Sequence, residues 1–217
     1  QKIQVQSNGG LIVAIISNAV EIIDAGAFSA SLGSLNLIKT LTLSNAATAS
    51  FVHGSSSVVF NDTYHIYKFQ FINIHPVTDN VQWMHNGSID TGSNYNVVKT
   101  NTMFEGEKGE GSASPTLNYI TGHDIAQGTG NAKFTYNCGN DNDQCVSGEM
   151  VLFNPSSTTF VKHFITVVAN SHNSNYIKNT YTAGYYNNAN DIDAMQFSFS
   201  SGNIDSGIIK LYGIKDS

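Results

Sequence analysis

Tyr64-His65-Ile66-Tyr67-Lys68-Phe69-Gln70-Phe71-Ile72-Asn73-Ile74 alternates with a period of two. Tyr67, Phe69 and Phe71 share one side of an extended chain and Lys68 and Gln70 the other, a pattern that a 3.6-residue period cannot produce. The stretch therefore predicts a β-strand with one aromatic, core-facing side. Met195, Phe197 and Phe199 repeat the pattern against Gln196, Ser198 and Ser200. Ser201-Gly202-Asn203 then begins a loop, and 208–214 follows as a return strand. Further strands are predicted over 37–43, 49–52, 57–60, 81–84, 96–104, 117–120, 133–136, 149–153, 160–168 and 180–186. About a dozen short strands separated by Gly, Asn, Ser and Asp clusters indicate an all-β protein, an antiparallel two-sheet β-sandwich of jelly-roll-like type.

Composition agrees with that reading. The 217 residues include 25 Asn, 24 Ser, 17 Thr and 19 Gly, types that suit turns and exposed strand faces, while only 12% are charged. The 12 Phe and 10 Tyr recur along the chain and argue against disorder. Residues 1–33 differ from the rest and read as an N-terminal arm or small assembly subdomain ahead of a β-sandwich domain over 34–217. The arm's apolar side chains Leu11, Ile12, Val13, Ile15, Ile16, Ile22 and Ile23 are the candidate assembly residues, since such a run is costly to leave in water. The run 11–16 is far shorter than the roughly 20 residues of a spanning helix, so membrane insertion is not expected. With Gln1 first and no basic segment before the run, it does not read as an intact signal peptide.

All ten basic residues are Lys, and the formal net charge is −6. Without the guanidinium fork, and with a net charge that repels a polyanion, nucleic acid is not an expected partner. Cys138 and Cys145 bracket Gly139-Asn140-Asp141-Asn142-Asp143-Gln144, a spacing that suits either a small loop disulfide or two thiols.

Few residues form a pattern with chemistry in it. Asp141 and Asp143 resemble part of a calcium-binding loop, but Glu149 misses the closing position, so Ca²⁺ is the only cofactor considered and a solvated loop is the competing reading. The seven histidines form no short metal-binding pair; His75 and His85 lie ten apart on what reads as one hairpin. His123-Asp124 is adjacent in sequence and poorly placed for a dyad, and no nucleophile motif is present. Asp90, Glu105, Glu107, Glu110, Asp191 and Asp193 supply carboxylates for glycoside hydrolysis, yet 105–111 reads as a flexible charged loop and 191–193 as the start of a strand. Trp83, Tyr176, Tyr181, Tyr185 and Tyr186 are candidate contacts for a ligand or partner by ring stacking, and 170–176 reads as an exposed contact loop. No catalytic residue is assigned.

Several stretches together carry a resemblance. They are Leu37-Ile38-Lys39-Thr40-Leu41-Thr42 with Ala49-Ser50-Phe51-Val52, Asn73-Ile74-His75-Pro76, Ala126-Gln127-Gly128-Thr129, and the Asn-Asp motif at 139–144. The block Leu152-Phe153-Asn154-Pro155-Ser156-Ser157-Thr158-Thr159-Phe160-Val161-Lys162-His163-Phe164 and the closing Leu211-Tyr212-Gly213-Ile214 are the most specific. Over about residues 35–215 the chain resembles a recurrent family of structural proteins of marine tailed phages, of the cyanophage and pelagiphage type. Both cysteines and the first 33 residues depart from that pattern.

The resemblance implies a virion structural protein, not an enzyme. It would be displayed on the bacteriophage particle as a capsid decoration protein, head fibre or tail appendage, acting through assembly and surface contact. Its expected partners are other virion proteins and itself, as a homo-oligomer for which a trimer is one arrangement. The alternative is a receptor- or glycan-binding module of a tail fibre that contacts a host surface glycan.

Overall fold

The structure, a computed structural model, describes residues 35–111 and 114–215, together with the backbone of three short strands ahead of them. Those strands, β1 (Ile15–Ser17), β2 (Val20–Asp24) and β3 (Ala27–Phe28), pair antiparallel in the order β1-β2-β3. They fall in a first compact unit, Gln1–Leu35, and Asn36–Asp216 form a second. Of the arm residues, Ile15 and Ile16 lie on β1 and Ile22 and Ile23 on β2. Their side chains, and Leu11, Ile12 and Val13 altogether, are outside the described residues.

The second unit is all antiparallel β. In chain order its strands are β4 (Leu35–Ala46), β5 (Ala49–Val52), β6 (Ile66–Pro76), β7 (Val81–Ser88), β8 (Lys99–Gly109) and β9 (Thr116–Tyr119). A single 3₁₀ turn, Thr121–His123, precedes β10 (Ile125–Gly128), β11 (Ala132–Cys138) and β12 (Val146–Phe153). The chain ends with β13 (Lys162–His172), β14 (Tyr176–Tyr186), β15 (Ala194–Phe199) and β16 (Ile204–Ile214).

One hydrogen-bonded ladder runs β4-β16-β6-β12-β13-β14-β8, with β9 and β10 both on β8, and a shorter one runs β11-β7-β15-β5. The pair Cys138↔His172 joins the two. Across the interior the ladders present aromatic rows to each other. Phe69 and Phe71 of β6 meet Phe197 of β15 at 5.0 and 5.2 Å between ring centres, and Phe71 meets Trp83 of β7 and Phe134 of β11 at 5.8 and 5.0 Å. These strands are not hydrogen-bonded to β6, so the rings hold the two runs together. Each such side chain contributes about 1.5–3 kcal/mol by leaving water.

The alternation read from 64–74 and 195–199 is present as expected: Tyr67, Phe69, Phe71, Met195, Phe197 and Phe199 are all buried. Three details differ. Residues 57–60 form no strand; Val58 and Phe60 plug the core from a loop, and His53 Nδ1 accepts the Phe60 N–H at 2.9 Å. His75 and His85 do not share a hairpin, because the chain crosses from β6 in one ladder to β7 in the other. Finally, 105–109 is not a loop, since β8 runs through Gly109 and pairs with β14 along its whole length.

Candidate contact face

Strands β8, β13 and β14 are long, flush in register and alternate strictly, so each exposes one side. Inward go Phe164, Val168 and Tyr186, with Thr166, Thr180 and Thr182 among them. Outward go Thr100, Thr102 and Phe104 from β8, His163, Ile165, Val167 and Ala169 from β13, and Ile177, Asn179, Tyr181, Ala183 and Tyr185 from β14. None of these twelve is Asp, Glu or Lys; the charged side chain on this side of the three strands is Lys108, exposed opposite Ile177 near the end of β8.

The face is free of carboxylates and largely apolar. Ten large hydrophobic side chains are exposed among the described residues, and six of them project here: Phe104, Leu117, Tyr119, Ile165, Ile177 and Tyr181. Phe104 and Tyr181 stand opposite each other in register, and their rings stack 5.0 Å apart and 7° from parallel. Asn179 Nδ2 donates to Tyr181 Oη at 3.1 Å, and Tyr119 Oη donates to Asp124 Oδ2 at 2.6 Å at the margin. Beside the stack runs a shallow groove of about 390 Å³ walled by Thr100, Thr102, His163, Ile165, Ala183 and Tyr185. Gly184, which points inward, lets this part of the sheet lie close to its neighbours: a Cβ there would come within 2.6 Å of the Phe164 ring and 2.5 Å of the Thr100 carbonyl oxygen.

No family model, curated protein or solved structure matches the chain. A largely apolar, part-aromatic sheet surface without carboxylates suits contact with another apolar surface or with the flat side of a sugar ring.

The residues expected to make contacts divide sharply. Tyr181 and Tyr185 lie on this face, and Tyr176 opens β14 beside His172, ring centres 5.6 Å apart. Trp83 and Tyr186 are corrections: both are fully buried. Trp83 lies in the aromatic core, and Tyr186 Oη is 2.7 Å from His85 Nδ1. Segment 170–176 is a hairpin more than a loop, with only 173–175 between its strands.

The Asn-Asp loop borders a second cleft, of about 450 Å³, whose lining includes Asn73, His75, Asp143, Cys145 and Asp205. His75 Nδ1 is 3.2 Å from Asp205 Oδ2, and its Nε2 is 3.2 Å from the Asp141 carbonyl oxygen. Among the described residues no group of three or more His, Cys, Asp or Glu side chains converges as metal ligands, here or elsewhere. The disulfide is absent, because Cys138 points into the core and Cys145 lies 3.8 Å from Asn73 Oδ1. Burial pushes the Cys138 thiol up to about 12, which makes it a packing group and not a nucleophile.

Buried charge is what the sequence concealed. Lys99 Nζ donates to the Gly130 carbonyl at 2.6 Å, and burial lowers this amine to about 8. Lys162 Nζ donates to the carbonyls of Asn188 and Asn190, both at 2.7 Å, tying a loop to β13. Glu105 is interior too, salt-bridged to Lys178 across β8 and β14. His85, fully buried beside Phe134 and Phe164, is held well below the usual imidazole range, first by desolvation and then by the Lys99 charge.

Proposed function

We propose that the chain is a virion structural protein that acts by assembly and surface contact, displayed as a capsid decoration protein, head fibre or tail appendage, and is not an enzyme. The carboxylate-free, largely apolar face of β13, β14 and β8 carries this reading. In a chain of net charge −6, copies repel one another over most of their surface, and a face free of carboxylates is where a second copy or a neighbouring virion protein can approach. The resemblance over 35–215 supports the particle context. In this reading the two ladders are the layers of a jelly-roll-like sandwich, and residues 1–33 are an attachment or oligomerisation arm. Calcium at Asp141 and Asp143 belongs to the same proposal, with an oligomer that loosens in chelator as its sign.

Immunogold labelling of purified particles with an antibody to the chain tests the assignment. Regular labelling of intact particles supports it; label confined to unassembled material overturns it.

A second reading has a specific observation behind it. The Phe104–Tyr181 stack, with Asn179 beside it and the groove past Tyr185, offers ring surface and amide donors together, as a glycan-binding module of a tail fibre requires. Glycan-array binding abolished by Tyr181→Ala and Tyr185→Ala would favour it over assembly alone.

A further inference from the structure

Lys178 differs from the other interior lysines because it faces carboxylates. Its Nζ lies 3.2 Å from Glu105 Oε1 and 3.4 Å from Glu107 Oε2, on the strand paired with its own. Lys178 is 3% and Glu105 1% exposed. The Tyr136 ring covers Nζ at 3.8 Å from its centre, while its hydroxyl donates to Glu105 Oε1 at 2.5 Å. Glu105 Oε2, buried, has no hydrogen-bond partner. A nucleophile, an acyl group and a donor on one carboxyl oxygen thus share one buried site, with a second, partly exposed carboxylate within reach of the amine.

We propose that Lys178 and Glu105 condense into an intramolecular amide that staples β14 to β8. Burial acts to lower the ammonium, but contact with Tyr136 and Glu105 outweighs it and leaves Lys178 raised, so the starting pair is ionic. One proton passes from Nζ to the Glu105 carboxyl group, and the freed lone pair attacks Cδ. The Tyr136 hydroxyl stabilises the charge that develops on Oε1, where its donor already points. Glu107 takes a second proton from nitrogen and delivers it to Oε2, the Cδ–Oε2 bond breaks, and Oε2 leaves as water. The Nζ–Cδ bond forms, the third proton stays on the amide, and nothing is oxidised or reduced. An ammonium and a carboxylate thereby become an amide and one water with no co-reactant. Two features favour the step: the strand pairing holds the amine against the Glu105 carboxyl group, 3.2 Å from Oε1, and a desolvated ion pair is lost.

The intact mass of the folded, full-length wild-type chain, read after denaturation, tests the proposal directly. It should lie about 18 Da below the sequence mass, the weight of one water removed by a covalent modification. Tryptic digestion should give one branched peptide containing both residues, with no cleavage after Lys178, and Lys178→Arg should restore the full mass. A folded wild-type chain at full sequence mass overturns the proposal. So does a deficit that maps elsewhere in the chain, or one that persists in Lys178→Arg.

Discussion

Phe104 of β8 and Tyr181 of β14 are directly paired in register on the outer side of the sheet, with rings nearly parallel at 5.0 Å. A stacked pair in that position stabilises the two-strand contact and also forms the centre of the exposed face. The two contributions are separable. Tyr181→Ala should cost about 1 kcal/mol of stability, the usual worth of an exposed cross-strand aromatic pair, in urea unfolding of the protomer. A loss several times larger would mean that the pair is part of the core.

The interior should behave differently. Phe71 touches Trp83, Phe134 and Phe197, so it links β6 to three strands of the opposite ladder. Phe71→Ala should cost about 3–5 kcal/mol by transfer and cavity effects together. A loss near that of Tyr181→Ala in the same assay would contradict the account of how the two ladders are joined.

The elements that could be read from the sequence are those whose signal is local. Alternation at Tyr67, Phe69 and Phe71 needs only neighbours two residues away, and the turn clusters separating strands are equally local. Glu105 to Gly109 defeated that logic: Gly-Glu-Lys-Gly density resembles a solvated loop until Lys178, 73 positions away from Glu105 in the chain, is known to sit opposite. Lys99 and Lys162 were hidden for the same reason, because their partners are carbonyls of distant loops. The crossing between β6 and β7 after Pro76 looks in sequence like any short hairpin, which is why His75 and His85 were expected together. On the contact face, Tyr181 and Tyr185 were legible as aromatic residues, whereas Phe104 and Ile165 join them only through strand register.

Histidine burial gives the fold a pH dependence with a definite sign. His123 is lowered from 6.5 to about 4, chiefly by desolvation, and burial holds His85 well below the usual imidazole range as well. Unfolded imidazoles take up protons as pH falls through 6.5 while the folded ones resist, so stability is full above that value and declines toward pH 4. The urea midpoint should therefore fall between pH 7 and pH 5, and His123→Asn should reduce the slope. An unchanged slope in that variant would remove His123 from the account.

Tyr186→Phe isolates the buried hydrogen bond. Removing the hydroxyl leaves His85 Nδ1 without its partner at 2.7 Å inside the core, which should cost about 1–3 kcal/mol with little change of shape. An unaltered unfolding midpoint would show that the contact contributes nothing.

The central claim is that the chain acts by assembling through the outer face of β13, β14 and β8. Multi-angle light scattering of the full-length chain, side by side with Ile165→Glu, tests it most directly, because Ile165 is half exposed and the change should leave the fold intact. The account predicts a wild-type trimer or larger species that falls to the 23.4 kDa protomer in the variant, with circular dichroism unchanged. A wild-type chain at the protomer mass, or an oligomer indifferent to Ile165→Glu, would contradict it.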